Sequence, residues 1–148
     1  MHRDIKPENI LVSSDELDIC LSDFGLATRV GPQPKYERTR TGQAGTPCYY
    51  SYEIVKKIPY DERVDIWCLG VLLFEMLFGA LPFSHDPNDA RDYTASISSL
   101  KFRFPSKSTV SQEARDLISK ILVPQERRIS LAYIKKHPWI SLDLDLVF

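Results

Sequence analysis

The spacing of apolar residues divides the chain into an early part with short apolar runs and a later part with helical periodicity. The early runs, residues 10–12 and 17–21, are separated by Ser13, Ser14 and Asp15. Short apolar runs on either side of turn-forming residues are typical of two strands joined by a tight connection. The pattern therefore predicts a small hairpin near the start of the chain.

The later part begins at residue 61 and has apolar residues on nearly every face of a helix: Val64, Trp67, Leu69, Val71, Leu72, Leu73, Met76 and Leu77. A helix that is apolar nearly all round belongs in a protein core. Gly79 is suited to end it, because glycine readily adopts the left-handed conformation that closes a helix. Asp65 lies within this apolar segment and needs a hydrogen-bonding partner.

Three shorter helices are predicted after the central one. The dipeptide Asp86-Pro87 is typical of a helix start, and that helix would run to about residue 98. Ser111 is a candidate N-cap for a helix with one apolar face, made of Ala114, Leu117, Ile118, Ile121 and Leu122. Ser130 is a candidate N-cap for a last short helix, which residues 137–139 would end. The predicted fold is therefore mainly α.

Two segments lack a regular pattern. Residues 27–44 contain two glycines, two prolines and four basic residues, and loops of this length in a compact domain are usually functional. The alternative for this segment is a solvated insertion. Residues 142–148 alternate acidic and apolar side chains, which fits either a frayed tail or a docking strand.

Composition narrows the class of protein. The chain has 148 residues, 43% of them apolar and 26% charged, with a net charge of −1. This balance suits one globular domain and gives no reason to expect nucleic acid or an anionic membrane as a partner. The longest apolar run, residues 69–74, is too short to cross a bilayer.

The cysteines and the first residues bear on the cellular compartment. Cys20, Cys48 and Cys68 are odd in number and widely spaced, which suggests free thiols in a reducing compartment. Charged residues among the first eight positions argue against a signal peptide. We therefore expect an intracellular protein of the cytoplasm or nucleus. The three histidines have no metal-ligand spacing, so no zinc site is predicted.

The chemistry is concentrated in residues 2–9, which read His-Arg-Asp-Ile-Lys-Pro-Glu-Asn, and in Asp23-Phe24-Gly25. Phosphoryl transfer needs a carboxylate to orient the attacking hydroxyl, a cation to meet the phosphate, and oxygen ligands for magnesium. The two segments contain all of these groups. A hairpin between them would bring them close in space.

The chain resembles the C-terminal lobe of eukaryotic serine/threonine protein kinases over residues 1–140, with 141–148 as a tail. Five landmarks occur in the order of that family. They are residues 2–9 (catalytic loop), 23–25 (magnesium loop), 45–53 (end of the activation segment), 65–70 (central helix) and Arg128, which pairs with the terminal glutamate of the segment. The resemblance implies a mainly α lobe with a short β-hairpin at the catalytic cleft.

Parts of the family pattern are missing or altered. The six glycines form no glycine-rich loop, and no strand lysine with a helix glutamate partner can be placed, so we expect the N-terminal lobe to be absent. The usual Ala-Pro-Glu is Ser51-Tyr52-Glu53, and without the proline the helix start is expected to be less fixed. Residues 124–127, before Arg128, are about one residue short.

The subgroup is suggested by several stretches. Residues 61–67, 102–105, 114–119 and 137–140 resemble Aurora kinases most. The sequence Leu26-Ala27-Thr28 is more similar to checkpoint or calcium/calmodulin-type kinases, and residues 48–51 resemble the NIMA-related group.

The resemblance implies a role for each matching residue. The catalytic group is Asp4, Lys6, Asn9 and Thr46. ATP and Mg²⁺ would be bound by Lys6, Glu8, Asn9, Leu11 and Asp23, with Asn9 and Asp23 as the metal ligands. Leu11 would form the floor under adenine, and a core strand position is the plainer interpretation of the same residue. Structural roles fall to His2, Arg3, Phe24, Gly25, Glu53, Asp65 and Arg128.

Substrate choice and regulation are also implied. Glu8 and Glu75 match glutamates that pair with substrate arginine, so the expected partners are proteins with basic residues before the phosphorylated serine or threonine. The alternative is that both glutamates are solvated or paired internally. Arg3 is expected to bind a phosphate on Thr41 or, as second choice, on Thr39.

The rival hypothesis for the whole chain is a non-catalytic remnant, a pseudokinase or an interaction module. Because no nucleotide-clamping lobe is recognised, the 148 residues alone are expected to be inactive. We also expect either aggregation through the apolar surface that such a lobe would otherwise cover, or a partner that covers it.

Overall fold

The structure is a computed structural model that describes residues 1–15, 18–30, 44–83 and 90–144. Within these ranges the protein is mainly helical, with one two-stranded antiparallel sheet. This confirms the mainly α prediction and the small hairpin. None of the helices in the described ranges is both long enough and apolar enough to span a bilayer.

The hairpin pairs β1 (Ile10–Val12) with β2 (Ile19–Leu21), and Leu11 lies opposite Cys20. Ser13 holds the turn, because its N–H donates to the Asp18 carbonyl at 2.9 Å and its Oγ accepts the Asp18 N–H at 3.0 Å. Leu11 is 56% exposed. The interpretation of Leu11 as a core residue is therefore wrong, because no described element packs over its face of this two-stranded sheet.

Helix α1 (Tyr52–Lys56) begins at a serine cap. Ser51 is fully buried, and its Oγ accepts the Ile54 N–H at 3.5 Å. The helix start thus has a serine cap, although the proline of the family pattern is missing. Lys57 ends the helix in the left-handed conformation.

Helix α2 (Arg63–Phe78) is the predicted central helix, and Gly79 closes it with a φ of 68°. Its partner is α4 (Gln112–Ile121). The two helices approach so closely at Gly70 that an added Cβ would lie 2.3 Å from Ile121 Cγ2. Trp67 is completely buried and stacks on Phe83, with ring centroids 5.4 Å apart. The core therefore forms around α2.

Helices α3 and α4 agree with the prediction where they are described. Helix α3 spans Ala90–Ser99, close to the predicted end, while the predicted start at Asp86-Pro87 lies outside the described residues. The Ser111 cap on α4 is confirmed, because its Oγ accepts the Ala114 N–H at 3.2 Å.

The last two helices correct the prediction. Helix α5 (Leu131–Ile134) follows Ser130, but the Ser130 side chain makes no cap hydrogen bond; its carbonyl accepts the N–H groups of Tyr133 and Ile134 instead. Pro138 is not the end of the last helix. It begins α6 (Pro138–Leu144), because proline suits the first helical position. Residues 142–144 thus belong to α6 and are not an extended strand, and 145–148 lie outside the described residues.

Candidate active site

The central helix holds the loop that contains Asp4. Asp65 of α2 accepts the His2 N–H at 2.7 Å with one carboxylate oxygen and the Arg3 N–H at 2.8 Å with the other. Arg3 has a φ of 75°, which is unusual for a residue with a side chain. Gly45 lies against this bend, where an added Cβ would be 2.4 Å from the Arg3 carbonyl oxygen. The loop therefore has a bent conformation fixed from two sides.

His2 links this loop to the segment after the hairpin. Its Nδ1 accepts the Asp4 N–H at 3.3 Å, so Nε2 carries the proton that is shared with the Ser22 carbonyl at 3.0 Å. The ring also meets Phe24 edge-on, with centroids 5.0 Å apart. His2 and Phe24 thus lie where a packing role between the two loops requires them.

The Asp4 carboxylate collects four hydrogen-bond contacts. Oδ1 accepts the Thr46 N–H at 2.9 Å and the Thr46 hydroxyl at 2.8 Å. Oδ2 lies 2.9 Å from Lys6 Nζ and 3.1 Å from Asn9 Nδ2. Lys6 also donates to Thr46 Oγ1 at 2.6 Å. All four residues of the predicted catalytic group therefore meet at one carboxylate that is only 7% exposed.

The contacts decide the charge state of this group. Burial acts to raise the pKa of Asp4, but the hydrogen bonds from Lys6 and Thr46 hold that pKa below its ordinary value. The hydrogen bond to Asp4 raises the pKa of Lys6 against the opposing effect of burial. Both groups are therefore charged near neutral pH. An ionised carboxylate of low basicity is suited to orienting a hydroxyl group.

The base of the hairpin brings Asn9 close to the segment that contains Asp23. The Ser22 N–H and hydroxyl donate to the Asn9 carbonyl at 2.8 and 3.1 Å. The amide nitrogen of Asn9 is taken by the Asp4 carbonyl at 2.8 Å, which leaves the amide oxygen for another partner. Asp23 is exposed and left-handed, and its Oδ1 accepts the Gly25 N–H at 3.2 Å.

Charge links these residues to Lys6. The carboxylates of Glu8 and Asp23 both help to raise the pKa of Lys6. Glu8 is exposed, and so is Leu11, the middle residue of β1. The arrangement is a surface with anionic and neutral oxygens beside a single lysine. Oxygen donors of this kind are those that magnesium prefers.

Glu75 has an internal partner that sequence reasoning missed. The buried Tyr49 hydroxyl donates to Glu75 Oε2. Burial and the neighbouring Glu75 carboxylate raise the pKa of Tyr49, so the phenol keeps its proton. A buried tyrosine needs a partner for its hydroxyl, but the sequence alone did not reveal which residue this is. In this structure Glu75 matches the alternative of an internally paired glutamate.

Glu53 and Arg128 form a sealed ion pair. Arg128 donates to Glu53 at 2.8 Å, and both side chains are completely buried. Glu53 also accepts the Gln125 N–H at 2.7 Å. Arg128 donates further to carbonyl groups of Arg63 and Val123 and lies over the Trp67 ring. The segment before Arg128 thus caps the pair, although it looked one residue short.

The structure describes Arg3 but not the two predicted phosphorylation sites. Arg3 Nε donates to the Leu26 carbonyl at 2.6 Å, which ties the loop to the segment after Gly25. Thr39 and Thr41 lie outside the described residues.

Comparison with known proteins gives the class of this site. Residues 1–140 match the family model of the protein kinase domain, and the chain belongs to that family. It is 41% identical over 146 residues to the serine/threonine-protein kinase PEPKR2 of Arabidopsis thaliana, covering 98% of this chain and 30% of that protein. It is 40% identical over 145 residues to the calcium/calmodulin-dependent protein kinase type II subunit delta of Oryctolagus cuniculus, covering 95% of this chain and 26% of that protein. The chain thus spans less than a third of either relative.

Proposed function

We propose that this chain forms the C-terminal lobe of a protein kinase that transfers phosphate from ATP to serine or threonine in protein substrates. The observation that carries the proposal is the convergence of Lys6, Asn9 and Thr46 on the Asp4 carboxylate. Phosphoryl transfer depends on positioning and electrostatic stabilisation, and this cluster supplies both.

Each residue of the cluster has a part in the proposed reaction. Asp4 orients the substrate hydroxyl, and its low basicity leaves proton removal to a late stage of the transfer. Lys6, now 2.9 Å from Asp4, meets the negative charge of the transferred phosphate. The Thr46 hydroxyl bridges Asp4 and Lys6 and keeps the two side chains aligned.

The residues present fit magnesium and one side of ATP. Among the residues that the structure describes, none donates to the Asn9 amide oxygen or to the second Asp23 carboxylate oxygen. Mg²⁺ accepts one or two protein oxygens together with phosphate and water. When bound, Mg²⁺ and ATP supply the phosphoryl group and neutralise its charge. Leu11 offers an exposed apolar platform for adenine, and Glu8 lies beside the phosphate-facing lysine.

We propose a preference for substrate arginine two or three residues before the acceptor. Glu8 is exposed and ready to pair. Glu75 shares its carboxylate with Tyr49, so a substrate arginine would use the oxygen that Tyr49 leaves free. Replacing such an arginine by alanine in a peptide should lower kcat/KM about tenfold for each lost charge-assisted pair. Unchanged rates across a peptide array would refute the preference.

The 148 residues tested by themselves should be inactive. Within the described residues, no group covers the phosphates or encloses adenine above Leu11, so much of the apolar burial that anchors adenine is lost. Calorimetric titration with magnesium-ATP should show no saturable binding at micromolar concentrations. Label transfer by the purified chain should equal that of an Asp4→Asn control.

Regulation by a phosphate on Thr41, or on Thr39, is the corresponding proposal for the activation segment. Arg3 carries the expected cation and would order the segment on phosphorylation. In a complete kinase, a Thr39→Ala/Thr41→Ala double variant should lose activation. Full activity of the double variant would exclude the switch.

The Aurora-like subgroup and an intracellular location in the cytoplasm or nucleus are finer proposals. The first is supported by residues 61–67 and 102–105, although both relatives above carry other names. The second is supported by the free thiols of Cys20, Cys48 and Cys68. A non-catalytic role remains the second candidate, favoured by the exposed apolar side chains of the hairpin.

The decisive experiment measures transfer of labelled phosphate in a complete kinase that contains this chain. Asp4→Asn should reduce kcat by about 10²- to 10⁴-fold. Asp18→Asn, an exposed aspartate at the other end of the hairpin, is the matched control and should have no effect. Equal activity of the Asp4→Asn variant and the parent enzyme would favour the non-catalytic candidate.

A further inference from the structure

The connection between α3 and α4 holds an exposed serine that has no part in the proposed site. Ser106 forms a turn with Lys107, and both are exposed. Arg103, three residues earlier, is exposed as well. We propose that Ser106 is a phosphorylation site for an arginine-directed serine/threonine kinase.

The charge of this connection suits such an enzyme. Residues 101–112 contain Lys101, Arg103 and Lys107 and no acidic residue. Neither Arg103 nor Ser106 makes a side-chain hydrogen bond or ion pair with any residue that the structure describes. An acidic pocket on a kinase can therefore pair with Arg103 without breaking an existing contact.

The backbone around Ser106 is also available. Apart from the turn at Ser106 and Lys107, residues 102–107 lie outside the helices and strands, so a kinase can bind them without disrupting either. The connection is held to the core by ring contacts instead. Phe102 and Phe104 pack on Phe74 of α2, with centroids 6.0 and 5.8 Å away.

A second serine provides the contrast that makes the inference specific. Ser130 follows Arg127 and Arg128, so the sequence alone makes it the better substrate. In the structure Arg128 is buried in its ion pair with Glu53, and the Ser130 carbonyl accepts two N–H groups of α5. Arg127 and Ser130 are themselves exposed, so the contrast lies in the backbone. Ser106 lies in a turn outside the helices, whereas the chain at Ser130 is held by the hydrogen bonds that begin α5.

The modification adds a charge that the fold can receive. The Ser106 Oγ attacks the γ-phosphorus of ATP, the bond from that phosphorus to the bridging oxygen breaks, and ADP leaves as the hydroxyl proton is released. Arg115 contacts the chain on both sides of Ser106, donating to the Ser108 carbonyl at 3.4 Å and lying 5.2 Å from the Phe104 ring. Arg103, Lys107 and Arg115 are thus the neighbouring cations for the phosphate.

The test treats the 148-residue chain with magnesium-ATP and a purified kinase selected for its requirement for arginine three residues before serine. Phosphopeptide mapping should find Ser106 modified and Ser130 unmodified in the folded chain, with Ser130 modified only after denaturation or in a peptide of residues 124–135. Arg103→Ala should reduce the initial rate at Ser106 about tenfold. Arg127→Ala is the matched control and should leave that rate unchanged.

The outcomes separate this inference from the proposed function. The added kinase supplies the activity, and a reaction without it measures any transfer by the chain itself. Circular dichroism checks that Ser106→Ala and Arg103→Ala fold. Because both positions are exposed, both variants should give the spectrum of the parent chain. Absence of phosphate at Ser106, or an unchanged rate for Arg103→Ala, would overturn the assignment.

Discussion

Two acidic side chains, Asp4 and Glu53, are both buried and both paired with a cation, yet their surroundings differ. Glu53 and Arg128 lie at 2.8 Å with both side chains fully buried. Asp4 and Lys6 lie at 2.9 Å, and the Lys6 side chain remains 19% exposed. We refer to the Glu53–Arg128 neighbourhood as the sealed region, and to the Asp4 cluster with the β1–β2 hairpin as the open region.

The difference is between an ion pair that is closed to any ligand and one whose lysine a ligand can reach. In the sealed region each side-chain nitrogen of Arg128 donates to a backbone carbonyl or to Glu53, so the pair holds α1 against the chain that follows α4. In the open region Lys6 is partly exposed, and Asp4 keeps its hydrogen bonds from Thr46 and Asn9 if Lys6 turns toward an incoming anion. An ionised carboxylate beside a partly exposed lysine is the arrangement that the proposed phosphoryl transfer needs.

The largest expected effect comes from breaking the sealed region. Arg128→Ala leaves the Glu53 charge buried without its partner and should lower the free energy of unfolding by about 3–5 kcal/mol. The measurement is chemical denaturation followed by circular dichroism. Arg127→Ala, at the adjacent exposed position, is the control and should change stability by less than about 0.5 kcal/mol.

A double replacement sharpens that result. Glu53→Leu combined with Arg128→Met removes both buried charges and should be less destabilising than Arg128→Ala alone, because no unpaired charge remains. A double variant as unstable as the single one would mean that the backbone hydrogen bonds of Arg128, rather than its charge pairing, dominate.

The junction between the two regions should give a smaller effect. Asp65→Asn replaces one of the two carboxylate oxygens that hold His2 and Arg3 by an amide donor, at a cost of about 1–3 kcal/mol. The loop should lose its bent form, so kcat in a complete kinase should fall even at temperatures where the protein is folded. Glu62→Gln, exposed just before α2, provides the reference. Normal kcat in folded Asp65→Asn would argue against a positioning role.

The Asp4 cluster of the open region should affect how stability and activity depend on pH. The pKa of Asp4 is held below its ordinary value by Lys6 and Thr46, so its ionised form contributes stability above the unfolded value of 3.8 and loses that contribution as pH falls. Thr46→Val removes one hydrogen bond and should raise this pKa. The acid limb of kcat/KM in a complete kinase should then move toward higher pH.

Thr46→Ser restores the hydroxyl and should return the acid limb to its original position. A shift that persists in Thr46→Ser would assign the effect to packing of the threonine methyl group instead of the hydrogen bond.

How much of this could be anticipated from sequence depends on the range of the interaction. The hairpin, the α2 span and the Ser111 cap follow from local patterns, and the sequence predicted them. Pro138 was predicted to end a helix but begins one. Proline is common at both places, and the residues that follow it determine whether a new helix forms. The partners of Tyr49 and Gln125 lie 26 and 72 residues away, so no local pattern indicates them. The meeting of Lys6 and Thr46 at Asp4 was expected only through the family resemblance.

The smallest effect on stability, with a separate effect on solubility, is expected on the outer face of the hairpin. Ile19 is 73% exposed and pairs with Val12 on the face opposite Leu11. Ile19→Thr retains β-branching, so the free energy of unfolding should change by less than about 0.5 kcal/mol. Because exposed apolar surface promotes association, the variant should show less aggregation by light scattering as the concentration of the chain is raised. Lys56→Thr, a polar exchange on the sealed side, should not reduce it. Equal aggregation of Ile19→Thr and the parent chain would mean that this face does not drive self-association. It would also argue against this face as the binding site of a covering partner.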